Sequence, residues 1–582
     1  GGYWIEVELA SSGPGRVGVW ARPGDRPAAT ANGQSMAPLH LEALGLRADD
    51  SIAALYDEGA PHMALELTGD LLQAWRDLGL QIGIYVGNWN NGGFPYYPDW
   101  FYERFPDAAM LDQFGQPFLS GMFDRQVPWL GISHPAIVEG TSAHIESSVR
   151  ALAPEEALRY WVLGGESLYY TYLLGARLTD YSPYALNHLR GWLSERYHGD
   201  LAALNDAWDT NFTSWAQVTP PVELGRNAAS VDFALFRFQE MAERFGWHYQ
   251  SVRAADPGRL ALSCNHGTLF EGRSYFGLGL DPAALAAATD GFELGQIMRD
   301  HDGSRYNLLW MYSVMGYGKP LAAPRLAYAK TDLLARGGGT SYTPEAARRY
   351  FGEAIGTGCW HTGFVQWYGD LPDGEWGVRG TPAEAEFRAI FKEWHQIERE
   401  FDSCWPIRPR IGMLRSRPTW AVEGHPRIWQ ALHEELVTRG LGYLPLSGEM
   451  SWEGLDAVIC ADNPILEHSD RERLAALDPT EVTILTLGEN GILDEACREA
   501  ADISTWPGVR SIPADGMTIA ERARALADAA ADRSEDGFRI VLHALEPITR
   551  ELTSSAPMGG HDRPLDLAGG PVEQVFTPTE DG

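Results

Sequence analysis

The chain is poor in the features that mark several large protein classes. Nowhere in its 582 residues is there a run of about 18 apolar positions, so no transmembrane helix is expected. Positive charge is scarce. Only 46 Lys and Arg stand against 79 Asp and Glu, for a net charge of −33. A surface of that sign repels phosphate backbones and anionic lipid, so neither nucleic acid nor a membrane is an expected partner. Cysteine is sparse too. Cys264, Cys359, Cys404, Cys460 and Cys497 are odd in number, widely spaced and without a C-x-x-C pair. Neither a disulfide framework nor a zinc site is suggested, and free thiols in a reducing, cytoplasmic setting are the simplest reading. No leader pattern is visible, although the chain opens on Gly1-Gly2 rather than Met.

What is present is an alternation of strand and helix. Residues 1–35 alternate in “YWIEVELA” and “RVGVWARP” around a Gly/Pro/Ser turn, which reads as a β-hairpin or the end of a small β-domain. From about residue 64 an amphipathic helix, “LTGDLLQAWRDLGL”, precedes a short buried strand, “QIGIYVG”. The step recurs through “RYWVLGGE”, “RLALSCNHG”, “DGFELGQ”, “GKPLAAPRLAY” and “WHTGFVQWYGD”, with helical patterns between. That makes six strands between 81 and 370, the repeat of a parallel α/β fold. A (β/α)8 TIM barrel over 36–402 is expected, with its first two strands before residue 75 and its functional groups at the C-terminal strand ends. A second α/β unit over 406–540 reads as a doubly wound sheet. It contains no G-x-G-x-x-G and no G-x-x-x-x-G-K-[ST], so no nucleotide is expected there. Residues 541–582 read as an extended tail or β-segment.

The stretch “YWVLGGESLYY”, 160–170, ends a buried strand on Gly164, Gly165 and Glu166. Its plain reading is a strand finishing in a solvated charge. Its sharper reading is a catalytic acid at the mouth of a barrel. Aromatics are 11% of the chain and include 21 Trp. Trp packs well on sugar C–H groups, but it is also an ordinary core residue.

Several segments decide between these readings because they resemble the family-42 β-galactosidase group of clan A glycoside hydrolases. “YPDWFYERFPDAAMLDQFGQP” (97–117) resembles the loop after that group's third strand. “YSPYALNHLRGWLSERYHGDLAALNDAWDTNFTSW” (181–215) is the most specific match, through Tyr197, Leu201, Leu204, Asn205, Trp208, Phe212 and Trp215. “DFALFRFQ” (232–239) and “TPEAARRYFGEAIGTGCWHTGFVQWYGD” (343–370) are similar to later elements, and 406–540 is similar to the group's flavodoxin-like trimerisation domain. The resemblance implies a glycoside substrate, no cofactor and no metal, and a homo-oligomer, a trimer.

It also implies roles. A Glu ending the fourth strand is the general acid/base in such enzymes, and a second carboxylate, usually ending the seventh, is the nucleophile. Retaining enzymes hold the two about 5–5.5 Å apart. Glu166 stands where the acid is expected, yet Gly165 replaces the Asn that normally precedes it. The usual nucleophile position falls near Arg325, with no carboxylate before Asp332. Glu293 in “DGFELGQ” is the nearest strand-end carboxylate and the candidate partner, with a substrate-binding or structural role as its alternative. Asp332 and Asp370 are reserves. Asn88, Trp89, Tyr169, Asn265, His266, Arg325, Tyr328, Trp367 and Tyr368 are candidate sugar contacts. The expected activity is that of a retaining exo-β-glycosidase on a galactoside-like or mannoside-like substrate. The alternatives are an inverting glycosidase or glycoside phosphorylase on the same barrel, or a carbohydrate-binding protein without catalysis.

Overall fold

The computed structural model describes residues 99–120, 127–156, 158–163, 178–266, 279–297, 408–424, 427–447, 450–513 and 515–532, with shorter pieces at 18–19, 33–34, 67–68, 82–86, 314, 316–319, 321–326, 344, 348, 361–365, 385–386, 389–390, 393, 404–406 and 576–578. Seven parallel strands form one sheet, in the order Gly18–Val19, His361–Val365, Leu321–Leu326, Gly291–Ile297, Leu260–His266, Leu158–Leu163, Ile82–Val86. The first strand in the chain therefore lies beside the last. Gly18–Val19 also comes within 8 Å, Cα to Cα, of Ile82–Val86, so the two ends of the sheet approach one another. Closing a sheet on itself requires that arrangement.

All six strands expected between 81 and 370 are present and parallel. The N-terminal stretch differs. Gly18–Val19 lies within the expected hairpin but pairs in parallel with Gly363–Phe364, and Gly33–Gln34 pairs antiparallel with Leu67–Thr68. Alternating apolar residues specify a strand but not its partner, which is set by contacts far away in sequence. Leu67–Thr68, the start of the expected “LTGDLLQAWRDLGL” helix, is strand; the rest of that segment lies outside the described residues.

Side chains alternate between the two faces of each strand. Ile84, Val86, Trp161, Leu163 and Phe292 pack in one core with Ile145, Val149, Phe245 and Val252 of the helices Pro135–Leu152 and Ala228–Ala255. The intervening positions, Tyr160, Val162, Leu262 and Glu293, are also buried and belong to the opposite, inner face. The N-terminal end of the sheet is tied down by ion pairs. Arg259 donates to the Leu158, Ala153 and Glu155 carbonyls and pairs with Asp256 at 2.7 Å. Asp256 in turn accepts from the Trp161 indole at 3.0 Å.

The 181–215 segment folds as a helical corner. Helices Pro183–Arg196 and Leu201–Trp208 meet the N-terminal part of the Ala228–Ala255 helix at one buried carboxylate. Asp232, 1% exposed, accepts from Arg196 Nε at 2.7 Å, the Tyr197 hydroxyl at 2.6 Å and Trp208 Nε1 at 2.7 Å. Burial raises its pKa, opposed by these three donors. Asn205 closes the turn that follows. Its amide donates to the Phe212 carbonyl and accepts from Phe212 N and the Thr210 hydroxyl, each at 2.9 Å.

The second unit is a five-stranded parallel sheet, ordered Tyr443–Leu446, Ile411–Leu414, Ala457–Leu466, Thr483–Asp494, Val509–Ser511. Numbered along the chain, that order is 2-1-3-4-5. Consecutive residues enter different cores: Met413, Ile459 and Leu485 one, Leu414, Cys460 and Ile484 the other. Both faces are therefore covered. Open sheets of this kind bind ligands where the strand order reverses. Here the protein fills that place itself. Asn463 accepts from Ser416 N at 3.2 Å and donates to the Leu414 carbonyl at 3.1 Å, and the Thr419 hydroxyl bonds both N and O of Ile465. Ion pairs join this unit to the first: Arg226 to Glu423 and Glu489, and Arg417 to Asp281.

Replacing Asp232 leaves the half-buried Arg196 guanidinium and Tyr197 hydroxyl and the buried Trp208 indole without their acceptor. Asp232→Ala is expected to destabilise the fold by about 3–5 kcal/mol, measured by urea denaturation. A loss below about 1 kcal/mol would show that the corner does not depend on this carboxylate.

Candidate active site

In a parallel α/β sheet the connections that follow the C-terminal strand ends carry the functional groups. Here those ends are Val19, Val86, Leu163, His266, Ile297, Leu326 and Val365. Glu166 follows Leu163 by three residues. Glu166, Tyr169, Asn88, Trp89, Tyr328, Trp367 and Tyr368 lie outside the described residues, as do Asp332 and Asp370. Glu293, Asn265, His266 and Arg325 lie within strands.

Glu293 is fully buried. It pairs in register with Cys264 on one side and Ala322 on the other, and Ala322 pairs with His361. Its neighbour Phe292 packs outward on Tyr317, ring centroids 6.1 Å apart, so Glu293 belongs to the inner face. It is the only carboxylate among the described residues of the seven strands. It stands four residues before Ile297, about 13 Å short of the strand end at the usual rise per residue. By register, however, it stands one residue beyond the level of Leu163, where the strand leading to Glu166 ends. His266 ends its strand and shares the register parity of Glu293. Asn265 and Arg325 have the parity of Phe292.

The described residues nearest to Glu166 in the chain on its C-terminal side begin at Leu178, and they are stitched to the connection after Ile82–Val86. Leu178 N donates to the Gln113 side chain at 2.8 Å, Asp112 and Thr179 form an antiparallel bridge, and Tyr181 N donates to the Leu111 carbonyl at 2.9 Å. Asp180, 4% exposed, accepts from Leu111 N at 3.0 Å, Ser182 N at 2.7 Å and the Ser182 hydroxyl at 3.0 Å. Burial and the nearby Glu240 push its carboxyl up to about 7, against the pull of those donors. The tight turn facing it is held by Asp112, whose carboxylate accepts from Phe114 N and Gln116 N at 2.9 and 2.8 Å. Gly115 in that turn has a φ of +73°, which glycine adopts without strain.

One constellation looks like a nucleophile and its base but is not built as one. The Ser133 hydroxyl lies 3.0 Å from His188 Nδ1, and His188 Nε2 lies 2.9 Å from Glu243. Glu240 also accepts from Ser133 and stands 3.5 Å from His188. Burial alone would lower the His188 imidazole, but Glu240 and Glu243 push it up to about 10. An imidazolium cannot take the Ser133 proton, so this is a salt-bridged brace between helices. Neither it nor Asp180 is legible in the sequence, because each forms only when residues tens of positions apart meet.

The parallel sheet, its first strand beside its last, is the setting in which the comparisons with known proteins are read. Residues 92–279 match the family model for glycoside hydrolase family 42, described as Beta-galactosidase. Over 191 residues the chain is 26% identical to Beta-galactosidase BgaB of Geobacillus sp. (strain Y412MC61). That match covers 31% of this chain and about a quarter, 26%, of the relative. The polyextremophilic β-galactosidase of Halorubrum lacusprofundi superposes with a TM-score of 0.64 at 14% identity, covering 80% of this chain and 82% of that one. A GH42 exo-carrageenase of Bacteroides ovatus gives 0.60 at 16%, covering 78% and 64%. The structural likenesses show the fold, and the chain resembles glycoside hydrolase family 42. The family match contains the 97–117 and 181–215 segments and the strand preceding Glu166.

Glu293→Gln separates its two readings. We expect turnover to stay within about tenfold of the parent while the melting temperature shifts, as for a buried support. A loss of about a thousandfold or more at unchanged melting temperature would instead make Glu293 the partner carboxylate.

Proposed function

We propose that the protein is a cytoplasmic glycoside hydrolase, a retaining exo-β-glycosidase of β-galactosidase or β-mannosidase type, with Glu166 as its general acid/base. The observation that carries this reading is the family-42 match across 92–279, which spans the Leu158–Leu163 strand and Glu166 together. Glu166 then protonates the leaving oxygen, while a second, ionised carboxylate attacks the anomeric carbon. In the second step Glu166 takes a proton from water, which displaces that carboxylate from the sugar. The candidates for the second group are Glu293 and, in reserve, Asp332 and Asp370, which follow the Leu321–Leu326 and His361–Val365 strands in the chain. Glycine at 165 removes the side chain that normally meets the sugar 2-hydroxyl. Another group must make that contact, or the sugar is held differently there.

The first sheet supports the reading as a (β/α)8 barrel through its parallel order and its first-to-last pairing. The 2-1-3-4-5 order supports reading 406–540 as flavodoxin-like. A structural, trimer-forming role suits that unit, because its own side chains fill the place where such sheets hold ligands. The substrate is then a neutral or weakly charged glycoside in solution, consistent with the net charge of −33.

The test is hydrolysis of aryl β-D-galactosides and β-D-mannosides by the parent and by Glu166→Gln and Glu166→Ala. Glu166→Gln is expected to lose about 10²–10⁴-fold on substrates with poor leaving groups, the usual worth of general acid catalysis. For Glu166→Ala, added azide is expected to restore turnover and give a β-glycosyl azide. Unchanged hydrolysis in both variants would remove Glu166 from the mechanism. A parent inert on every glycoside offered would favour a binding role.

A further inference from the structure

The helix Pro135–Leu152 crosses back between the parallel strands Ile82–Val86 and Leu158–Leu163, so it starts on the C-terminal side of the sheet. One residue completes that start. Pro135, the first helical residue, has no N–H to place. Ile137 and Val138 donate to the His134 carbonyl at 3.0 and 3.1 Å. The remaining donor, Ala136 N, is taken by His134 Nδ1 at 3.2 Å. The usual residues at such a position, Ser, Thr, Asp and Asn, accept at any pH near neutral; an imidazole does so only while uncharged. An N–H aimed at Nδ1 requires a lone pair there, so Nε2 carries the proton of a neutral ring. Nε2 stands 3.6 Å from Asp107 Oδ1, and Asp107 Oδ2 accepts from the Tyr184 hydroxyl at 2.8 Å. The Tyr184 and Phe105 rings meet the imidazole edge-on, with centroids 4.4 and 6.0 Å away. His134 is buried among them. It joins three pieces of chain: the Pro106–Ala108 turn, its own helix, and the start of the helix Pro183–Arg196.

We propose that His134 is an acid-sensitive latch: its neutral imidazole caps the helix Pro135–Leu152 and gathers the other two pieces against it, and a proton on Nδ1 releases the cap. That proton would set two donors, Nδ1–H and Ala136 N–H, against each other, so the ring must turn away or the first helical turn must open. Burial acts in the same sense. It lowers the pKa of His134 below the ordinary 6.5, opposed by Asp107. A lowered value means that the fold favours the neutral ring. The contribution of the cap is therefore complete above the ordinary value and is lost as pH falls below it. Among the described residues, the charged and titratable groups around His134 are Asp107 and Arg104 on the first piece, Glu139 on its own helix, and Tyr184 and His188 on the third, with Glu240 reached through Ser133. Asp107 is the one that favours the imidazolium. His188 does not change charge in the acid range, because Glu240 and Glu243 push it up to about 10. Asp180, behind the Gly131 turn, is pushed up to about 7 and must be told apart from His134 by substitution. The inference is independent of the role of Glu166.

Hydrogen exchange of the whole protein between pH 8 and pH 5, corrected for the intrinsic rate, tests this in the parent and in His134→Asn, whose amide oxygen accepts at any pH. In the parent, protection at 136–139 and 105–108 is expected to fall about threefold or more below pH 6.5, while that of Leu158–Leu163 stays constant. In His134→Asn protection at 136–139 is expected to stay flat over the same range. Should that variant fold poorly, Asp107→Asn carries the test. Without the neighbouring carboxylate the imidazolium is less favoured, and the fall moves to lower pH. Protection in the parent that does not change between pH 8 and pH 5 overturns the latch. The same fall in His134→Asn assigns the effect to another group and overturns it too. So does a fall that Leu158–Leu163 shares equally, or one that is unmoved or raised in Asp107→Asn.

Discussion

One buried carboxylate organises the part of the molecule most recognisable from its sequence. Asp232 is buried where almost no water reaches it, and three donors, Arg196, Tyr197 and Trp208, converge on it. Burying a carboxylate without such partners is costly, so the packing of the three helices depends on these bonds. The Ala228–Ala255 helix that bears Asp232 also contacts the Pro135–Leu152, Pro282–Ala288 and Arg417–Glu423 helices and the Leu158–Leu163 and Leu260–His266 strands. Fixing that one helix therefore sets the outer layer of the sheet and the seat of the second unit.

From that scaffold the site follows by division of labour between the two ends of the sheet. At the N-terminal ends Arg259, Asp256, Arg253 and Asp290 bond strands and helices into a rigid base; Asp290 accepts from both Arg253 and Ala261 N. Between, the inner face is closed by Tyr160, Val162 and Leu262. At the C-terminal side the chain is held by side chain to backbone bonds instead, from Asp112, Gln113 and Asp180. Rigid packing below and bonded connections above is how a scaffold can hold functional groups on its connections.

Much of this was legible in the sequence, and for stated reasons. Short apolar runs ending in Gly or polar residues marked the six strands between 81 and 370, and the strand-helix repeat implied that they are parallel. Tyr197, Asn205 and Trp208 marked the resemblance, and the structure shows what they are for: Tyr197 and Trp208 satisfy Asp232, and Asn205 shapes a turn. They encode a helical corner, not chemistry. What was not legible depends on partners distant in the chain. The alternation near Gly18 implied a strand but could not say that it joins His361–Val365. “DGFELGQ” placed Glu293 on a strand, but only the register shows how far it lies from the strand end. Asp180 looked like one more acidic residue before a helix, because Leu111, 69 positions away, supplies the donor that gives it meaning.

The central claim is that this fold carries out hydrolysis with retention at an acid/base Glu. The most direct measurement is proton NMR of the first sugar released from an aryl β-galactoside or β-mannoside by the parent protein, recorded before mutarotation. The account predicts that the β-anomer appears first and the α-anomer only later by equilibration. Initial release of the α-anomer would contradict it.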